Sequence, residues 1–330
     1  MMPKKVVLFT FQLANDSVST VMSGLEDMYE FKVSNSRREA VQLSPSAEVL
    51  VMRAPMREVI ETATNCRWIH VLGAGVDEYL AIERVRDGTS LVLTNSAEAY
   101  GTQVSEHVFA LILSLTRGLK PAVLNQQDRR WADIHGTELA LAEISGLTMA
   151  VLGLGDIGLE VAKRAKSFEL VVVGVRRSQG PLRIPSYGQF LDEVVSISEL
   201  DNAVAKADIV VNTLPLTADT SQLLDASRFS KFKHGTVFVN VGRGGTVVEE
   251  DLSDAIRSGI ISSAGLDVFE VEPLPRNSPL WNFSNVVISP HWAGRSPSLL
   301  TKTLLILRDN LLRYSRGELL RNVIDKESGY

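Results

Sequence analysis

One cysteine, Cys66, is all the thiol this 330-residue chain holds. That excludes an intramolecular disulfide and a thiolate-bound metal cluster, so no metal is expected and a reducing cytoplasm suits the chain. A lone small residue of this kind reads as buried packing rather than as a nucleophile. Excess positive charge is missing too: 34 Lys and Arg stand against 39 Asp and Glu, a net charge of −5. This balance argues against nucleic acid or an anionic membrane as the main partner. No apolar run approaches the ~20 residues that span a bilayer. Met1 to Lys5 lead straight into a strand-like Val6-Val7-Leu8-Phe9-Thr10, without the plan of a signal peptide, so a cytoplasmic location is expected. Internal repeats and low-complexity tracts are absent. What remains, 45% apolar and 22% charged residues, is an ordinary globular composition with length for two domains.

The most informative stretch is 148–177. An apolar run over 148–152, short enough for a buried parallel strand, meets Gly153-Leu154-Gly155-Asp156-Ile157-Gly158. Ile157, Val161, Ala165 and Phe168 then recur at helical spacing, and a second apolar run over 170–175 completes a βαβ unit. Gly153 is read as the tight turn, Gly155 as the point where backbone approaches a pyrophosphate, and Gly158 as a close helix–strand contact. The pyrophosphate belongs on the helix N-terminus, where unpaired N–H groups and the dipole favour an anion. Strand before and helix after are the context that turns a glycine motif into a dinucleotide site.

The tip of the second strand selects the cofactor. NAD-binding units carry an acidic residue there for the ribose hydroxyls, whereas this chain has Arg176-Arg177-Ser178, beginning eighteen residues beyond Gly158. Two guanidiniums and a hydroxyl can bind a 2′-phosphate that a carboxylate would repel. NADP(H) is therefore favoured, with NAD(H) still possible and a solvated basic turn as the plainer alternative.

Residues 5–95 read as a small α/β unit with strands near 5–10, 30–33, 48–52, 68–71 and 91–94, and no dinucleotide motif. Leu72-Gly73-Ala74-Gly75-Val76 follows a strand and reads either as an anion nest of amides or as a tight turn. Arg53 could greet an acidic substrate or be a surface cation. Residues 102–119 are apolar nearly all round and predict one long buried helix, a domain connector or oligomer interface. His107 within it reads as a satisfied core histidine. Trp131, in a polar stretch, is a partner-subunit anchor or ordinary packing. Buried strands near 207–212, 236–241, 260–266 and 286–289 extend the βαβ unit to a doubly wound sheet of about six strands, and an amphipathic helix over 298–315 follows.

Three charged features stand at strand ends, where open α/β sheets bind ligands. Arg243 leaves a glycine turn, Asp267 and Glu272 follow one strand, and His291 follows another. Arginine can clamp a carboxylate, histidine can exchange a proton near neutral pH, and a carboxylate can orient and recharge that histidine.

These segments carry a family likeness. Val239-Asn240-Val241-Gly242-Arg243-Gly244, the run from Gly265 through Asp267 and Glu272 to Pro275, and Ser289-Pro290-His291-Trp292-Ala293-Gly294 resemble the D-isomer-specific 2-hydroxyacid dehydrogenase family. Leu72 to Asp77, Val104 to Leu113 and Leu214-Pro215-Leu216-Thr217 extend the likeness over essentially the whole chain. It implies two Rossmann-like α/β domains: a discontinuous substrate domain, 1–95 with 293–330, and a dinucleotide domain, 96–292. A cleft between them closing on substrate, and homodimers formed through the dinucleotide domain, are implied as well.

The likeness also assigns roles. Arg243 binds the substrate carboxylate and polarises the keto oxygen, His291 protonates that oxygen, and Glu272 hydrogen-bonds His291. The amides of Ala74, Gly75 and Val76, with Arg53, would hold the substrate carboxylate. Asp267 would contact the nicotinamide carboxamide. Thr102, Asp156, Ile157, Leu214, Pro215, Val241, Gly242, Ala293 and Gly294 fall in cofactor-contacting loops. Arg176 replaces the family's commoner acidic residue and points to its NADP-using branch, which includes glyoxylate and hydroxypyruvate reductases. The implied activity is NADPH-dependent reduction of a small 2-ketoacid to the D-2-hydroxy acid, and its reverse. A dinucleotide-sensing, corepressor-like binding protein is the alternative. A formate dehydrogenase is set aside because those enzymes carry glutamine where Glu272 stands.

Overall fold

Short runs of Val, Ile and Leu without polar alternation belong in sheets covered on both faces. The computed structural model, which describes residues 4–13, 21–88, 90–131, 141–177, 180, 182 and 184–330, places them there. The chain divides into two compact units, Met1–Tyr100 with Ser296–Tyr330, and Gly101–Arg295.

The first unit holds five parallel strands: β1 (Lys5–Phe9), β2 (Tyr29–Val33), β3 (Val49–Met52), β4 (Trp68–Val71) and β5 (Val92–Thr94). Their order is β2-β1-β3-β4-β5, so the winding reverses between β1 and β3. In open α/β sheets the carboxyl edge at such a reversal is the usual place for a ligand. β3 and β4 are buried at every position. The helix Leu299–Arg316 returns from the end of the chain and packs Leu304, Leu307 and Leu311 with Phe9, Leu25 and Trp68. It stops at Gly317, whose φ of 68° turns the chain so that the Glu318 N–H reaches the Arg313 carbonyl at 3.0 Å.

The second unit holds seven parallel strands: β6 (Thr148–Leu152), β7 (Val171–Arg176), β8 (Glu193–Ser196), β9 (Ile209–Asn212), β10 (Thr236–Asn240), β11 (Ile261–Leu266) and β12 (Val286–Ile288). Their order is β12-β11-β10-β9-β6-β7-β8, with the reversal between β6 and β9. The architecture is thus two doubly wound α/β units, with one strand more than the expected six or so. The addition is β8, a partly exposed edge strand whose Glu-Val-Val-Ser gives no long apolar run.

The long helix predicted over 102–119 is Gly101–Thr116, and a second helix follows it. Gly118, at φ 65°, ends Gly101–Thr116, and Leu119–Gln127 leaves at a bend of 70° with none of its residues buried. The first of these helices buries most of its apolar positions and leaves Thr102, Glu106 and Ala110 on an exposed stripe. It lies on β10, β11 and β12 and packs on the helix Asp156–Ser167. Contact is close: a Cβ on Gly265 of β11 would sit 2.8 Å from Leu111 Cβ, and Phe109 stacks on Phe168 with ring centroids 4.9 Å apart. Among the described residues no single helix is long and apolar enough to cross a membrane.

One buried polar chain ties the first sheet to its carboxyl-edge loop. Trp68 Nε1 donates to Thr94 Oγ1 at 2.8 Å, Thr94 Oγ1 lies 2.7 Å from His70 Nδ1, and His70 Nε2 lies 3.1 Å from Ser96 Oγ, which donates to the Val71 carbonyl. A single direction satisfies every member, with the neutral His70 accepting at Nδ1 and donating at Nε2. Burial pushes the His70 pKa from 6.5 down to about 3. The imidazole stays neutral in the fold and takes a proton in the unfolded chain, so stability falls as pH drops from 6.5 toward 3. The loss approaches about 1.4 kcal/mol per pH unit for this one proton. Urea melts of wild type and His70→Gln across that range should show a shallower acid dependence in the variant. Parallel curves would remove His70 as the source.

Candidate active site

The carboxyl edge of the second sheet carries the groups singled out from the sequence, and its geometry starts at the glycine turn. Gly153 leaves β6 at φ 94°, in the left-handed region that side chains avoid. Gly158 has no room for a side chain, since a Cβ would lie 1.9 Å from the Gly153 carbonyl oxygen. Gly155 is different: a Cβ there meets nothing within 4 Å, and as N-cap of Asp156–Ser167 it offers no side-chain acceptor to the first turn. Open space above a helix N-terminus with uncapped amides fits a pyrophosphate, so the residues present suit a bound dinucleotide. Asp156 and Ile157 form that first turn.

Arg176 ends β7, and its Nη1 donates to the Gly180 carbonyl at 2.7 Å; Arg177 follows, exposed. Ser178 lies outside the described residues. Thr102 is exposed in the first turn of Gly101–Thr116.

The loops after β9, β10, β11 and β12 are knit by backbone contact. A Cβ on Gly242 would sit 2.7 Å from the Leu214 carbonyl oxygen, and one on Gly244 would overlap the Phe269 carbonyl at 1.9 Å. His291 N–H donates to the Asp267 carbonyl at 2.8 Å. Arg243 stands between the two glycines, its Nη1 on the Gly242 carbonyl at 2.8 Å. Glu272 spans its own loop, one oxygen accepting the Phe269 N–H at 3.0 Å and the other lying 2.7 Å from His291 Nδ1. Nearby, Glu249 accepts the Glu270 N–H at 2.6 Å. Burial, then the charges of Glu270 and Glu272, hold the Glu249 carboxyl above its ordinary range.

An ionised carboxylate only accepts, so Glu272 keeps the proton on Nδ1 and leaves Nε2 as the nitrogen of His291 that exchanges one. The pair is half exposed, at 49% for His291 and 35% for Glu272, and so is reachable from solvent. Trp292 beside it is also half exposed, and Arg295 is exposed. Asp267 is buried, and both its oxygens accept bonds from the next loop: Oδ1 from Ser289 Oγ at 2.6 Å and Trp292 N at 3.1 Å, Oδ2 from Ala293 N at 3.0 Å. Gly294 accepts at its carbonyl from Gln103 Nε2 at 3.4 Å.

Three residues to which the motif reading gave no role shape this edge. Asn212 and Asn240 end β9 and β10, and Thr246 lies against Asn212; all three are buried. Asn212 Nδ2 donates to Asn240 Oδ1 at 3.1 Å and to Thr246 Oγ1 at 2.8 Å, while its Oδ1 accepts the Leu214 N–H at 3.1 Å. Asn240 Oδ1 accepts the Gly242 N–H at 3.2 Å, and Thr246 Oγ1 donates to the Arg243 carbonyl at 2.6 Å. Val241 N–H adds a bond to the Asn212 carbonyl at 3.1 Å, and Pro215 accepts from Thr220 Oγ1 at 2.6 Å. Asparagine is depleted in strands, so two apolar runs that each end in Val-Asn were the available signal.

Arg53 and the segment Ala74-Gly75-Val76 belong to the first unit. Arg53 leaves β3 at that sheet's reversal point and stacks its guanidinium 4.4 Å from the ring centroid of Phe11, beyond β1. The 72–76 loop is fixed through its carbonyls: Tyr100 Oη donates to Leu72 O at 2.9 Å, Ser96 N to Gly73 O at 3.0 Å and Asn95 Nδ2 to Ala74 O at 2.7 Å.

Residues 109–293 match the NAD-binding domain of the D-isomer specific 2-hydroxyacid dehydrogenases. The chain is 30% identical to D-3-phosphoglycerate dehydrogenase of Archaeoglobus fulgidus over 93% of its own length, and spans only 56% of that relative. It is 32% identical to glyoxylate reductase of Thermofilum pendens, covering 82% of this chain and 78% of the other. Among solved structures it is similar to the NADPH-dependent glyoxylate/hydroxypyruvate reductase of Sinorhizobium meliloti, in complex with NADP and sulfate. That match has a TM-score of 0.83 and 25% identity, and covers 99% of this chain and 100% of the other. Its motifs, its two doubly wound sheets and this match together make the chain a member of the D-isomer specific 2-hydroxyacid dehydrogenase family.

Proposed function

We propose that this protein is an NADPH-dependent 2-ketoacid reductase that forms D-2-hydroxy acids and works in reverse as a dehydrogenase. The observation that carries the reading is a hydrogen-bonded acid–base pair, Glu272–His291, on the same sheet edge as Arg243 and the glycine turn. When bound, the dinucleotide supplies the hydride. Arg243 would hold the substrate carboxylate and draw charge from the keto oxygen, a task for which its planar fork is suited. His291 would give its Nε2 proton to that oxygen, with Glu272 keeping Nδ1 protonated and the ring oriented throughout. Arg53 and the amides of Ala74, Gly75 and Val76 would add a second grip on the carboxylate. Asp267 would face the nicotinamide carboxamide with the acceptor capacity left on Oδ2. In this reading residues 1–95 with 293–330 bind substrate and 96–292 bind the cofactor.

Arg176 and Arg177 at the tip of β7 support NADP(H), because guanidiniums pair with a 2′-phosphate. Leu119, Val123 and Leu124, each about half exposed, and Trp131, 98% exposed, support a homodimer formed through this unit.

A steady-state panel of glyoxylate, hydroxypyruvate, pyruvate and a bulky 2-ketoacid, each with NADPH and NADH, tests the activity. A strong NADPH preference with one small ketoacid standing out is expected, and His291→Ala should abolish turnover while leaving NADPH binding intact. No turnover alongside tight NADPH binding would move the reading to a dinucleotide sensor. Arg176→Ala should raise KM for NADPH far more than for NADH; equal effects would place the 2′-phosphate elsewhere. Gly155→Ala puts a methyl into open space, so its denaturation midpoint should match wild type while dinucleotide affinity falls at least tenfold by titration calorimetry, about 1.4 kcal/mol. Unchanged affinity would show that the pyrophosphate does not approach this amide.

A further inference from the structure

His291 sits on a backbone that needs holding. Its φ is 50°, a left-handed conformation that L-residues seldom adopt and that persists only where surrounding structure over-determines it. The determinant is Asp267, whose carbonyl and both carboxylate oxygens accept bonds from 289–293. Asp267 is 1% exposed, and a buried carboxylate depends on every donor it has.

One of those donors, Ser289, is itself directed from elsewhere. A serine hydroxyl has a single proton, and Asp267 Oδ1, 2.6 Å away, takes it. His107 Nε2 lies 2.8 Å from the same hydroxyl oxygen and must therefore donate to it. That assigns His107 its Nε2–H tautomer when neutral. Burial lowers the His107 pKa against the opposing pull of Asp267, which favours the neutral ring. His107 comes from the helix Gly101–Thr116, one turn beyond Gln103, whose amide holds the Gly294 carbonyl on the same loop.

We propose that His107 is a positioning residue: its Nε2–H points the Ser289 hydroxyl at Asp267 and so fixes the loop that carries His291. The proposal rests on the reading of His291 as the acid–base group only for its effect on catalysis; the effect on the loop stands by itself. Without the donor the Ser289 rotor is free to turn away, and Asp267 loses one of the bonds that set the loop.

The test compares wild type, His107→Leu and His107→Gln in the full chain, Gln placing an amide nitrogen near the position of Nε2. Hydrogen exchange of a peptide covering 289–295 is read beside kcat and KM with hydroxypyruvate and NADPH. In His107→Leu, exchange should quicken and kcat fall, each about tenfold, since small misplacements of a catalytic group cost this much or more. KM for NADPH should stay within about twofold, and His107→Gln should recover most of both losses. If His107→Leu does not fold, Ser289→Ala breaks the same relay from its other end and should quicken exchange alike. Wild-type exchange in the Leu or Ala variant, or no recovery with Gln, overturns the proposal. A wild type without turnover would count against the reductase reading alone, because exchange would still decide whether His107 positions the loop.

Discussion

The site depends on one constraint, the near-contact of backbone between adjacent loops at the carboxyl edge of the second sheet. Gly242 lies against Leu214 and Gly244 against Phe269, both closer than any side chain would permit. Strands in a parallel sheet leave their loops about 4.8 Å apart. Glycine lets neighbouring loops keep that spacing beyond the last ladder bond, so Arg243 emerges beside the loop that carries Glu272. A glycine-rich turn around an arginine is thus as much a packing device as a flexible one.

Polar burial supplies what close packing lacks, which is direction. The Asn212–Asn240–Thr246 cluster and the Asp267 carboxylate are both out of solvent, and both spend their hydrogen-bonding capacity on loop backbone. A buried polar group left unpaired costs more than a pair gains, so these groups penalise any other loop arrangement. The first unit repeats the device through His70, Thr94 and Ser96 beneath the 72–76 loop. In each case the chemistry-bearing residue is partly exposed while the residues that set it are not.

Family membership bounds the chemistry more tightly than it bounds the substrate. The matched relatives bear phosphoglycerate dehydrogenase and glyoxylate reductase names, and the phosphoglycerate dehydrogenases extend well beyond the span of this chain.

Local pattern was enough to place the βαβ unit and the two parallel sheets, and to single out Arg243, Glu272 and His291 as charged groups at strand ends. Apolar runs and glycine spacing act over a few residues, and strand ends mark where ligands bind in such sheets. Pattern failed where the physics was long-range. The edge strand β8 is too polar to show as a run, and it forms because β7 offers it a ladder. The linkage of His107 to Ser289 joins residues 182 apart in the chain. Only the tertiary structure decided that linkage, the buried asparagine pair and the left-handed backbone of His291, because each exists where separate strands end side by side.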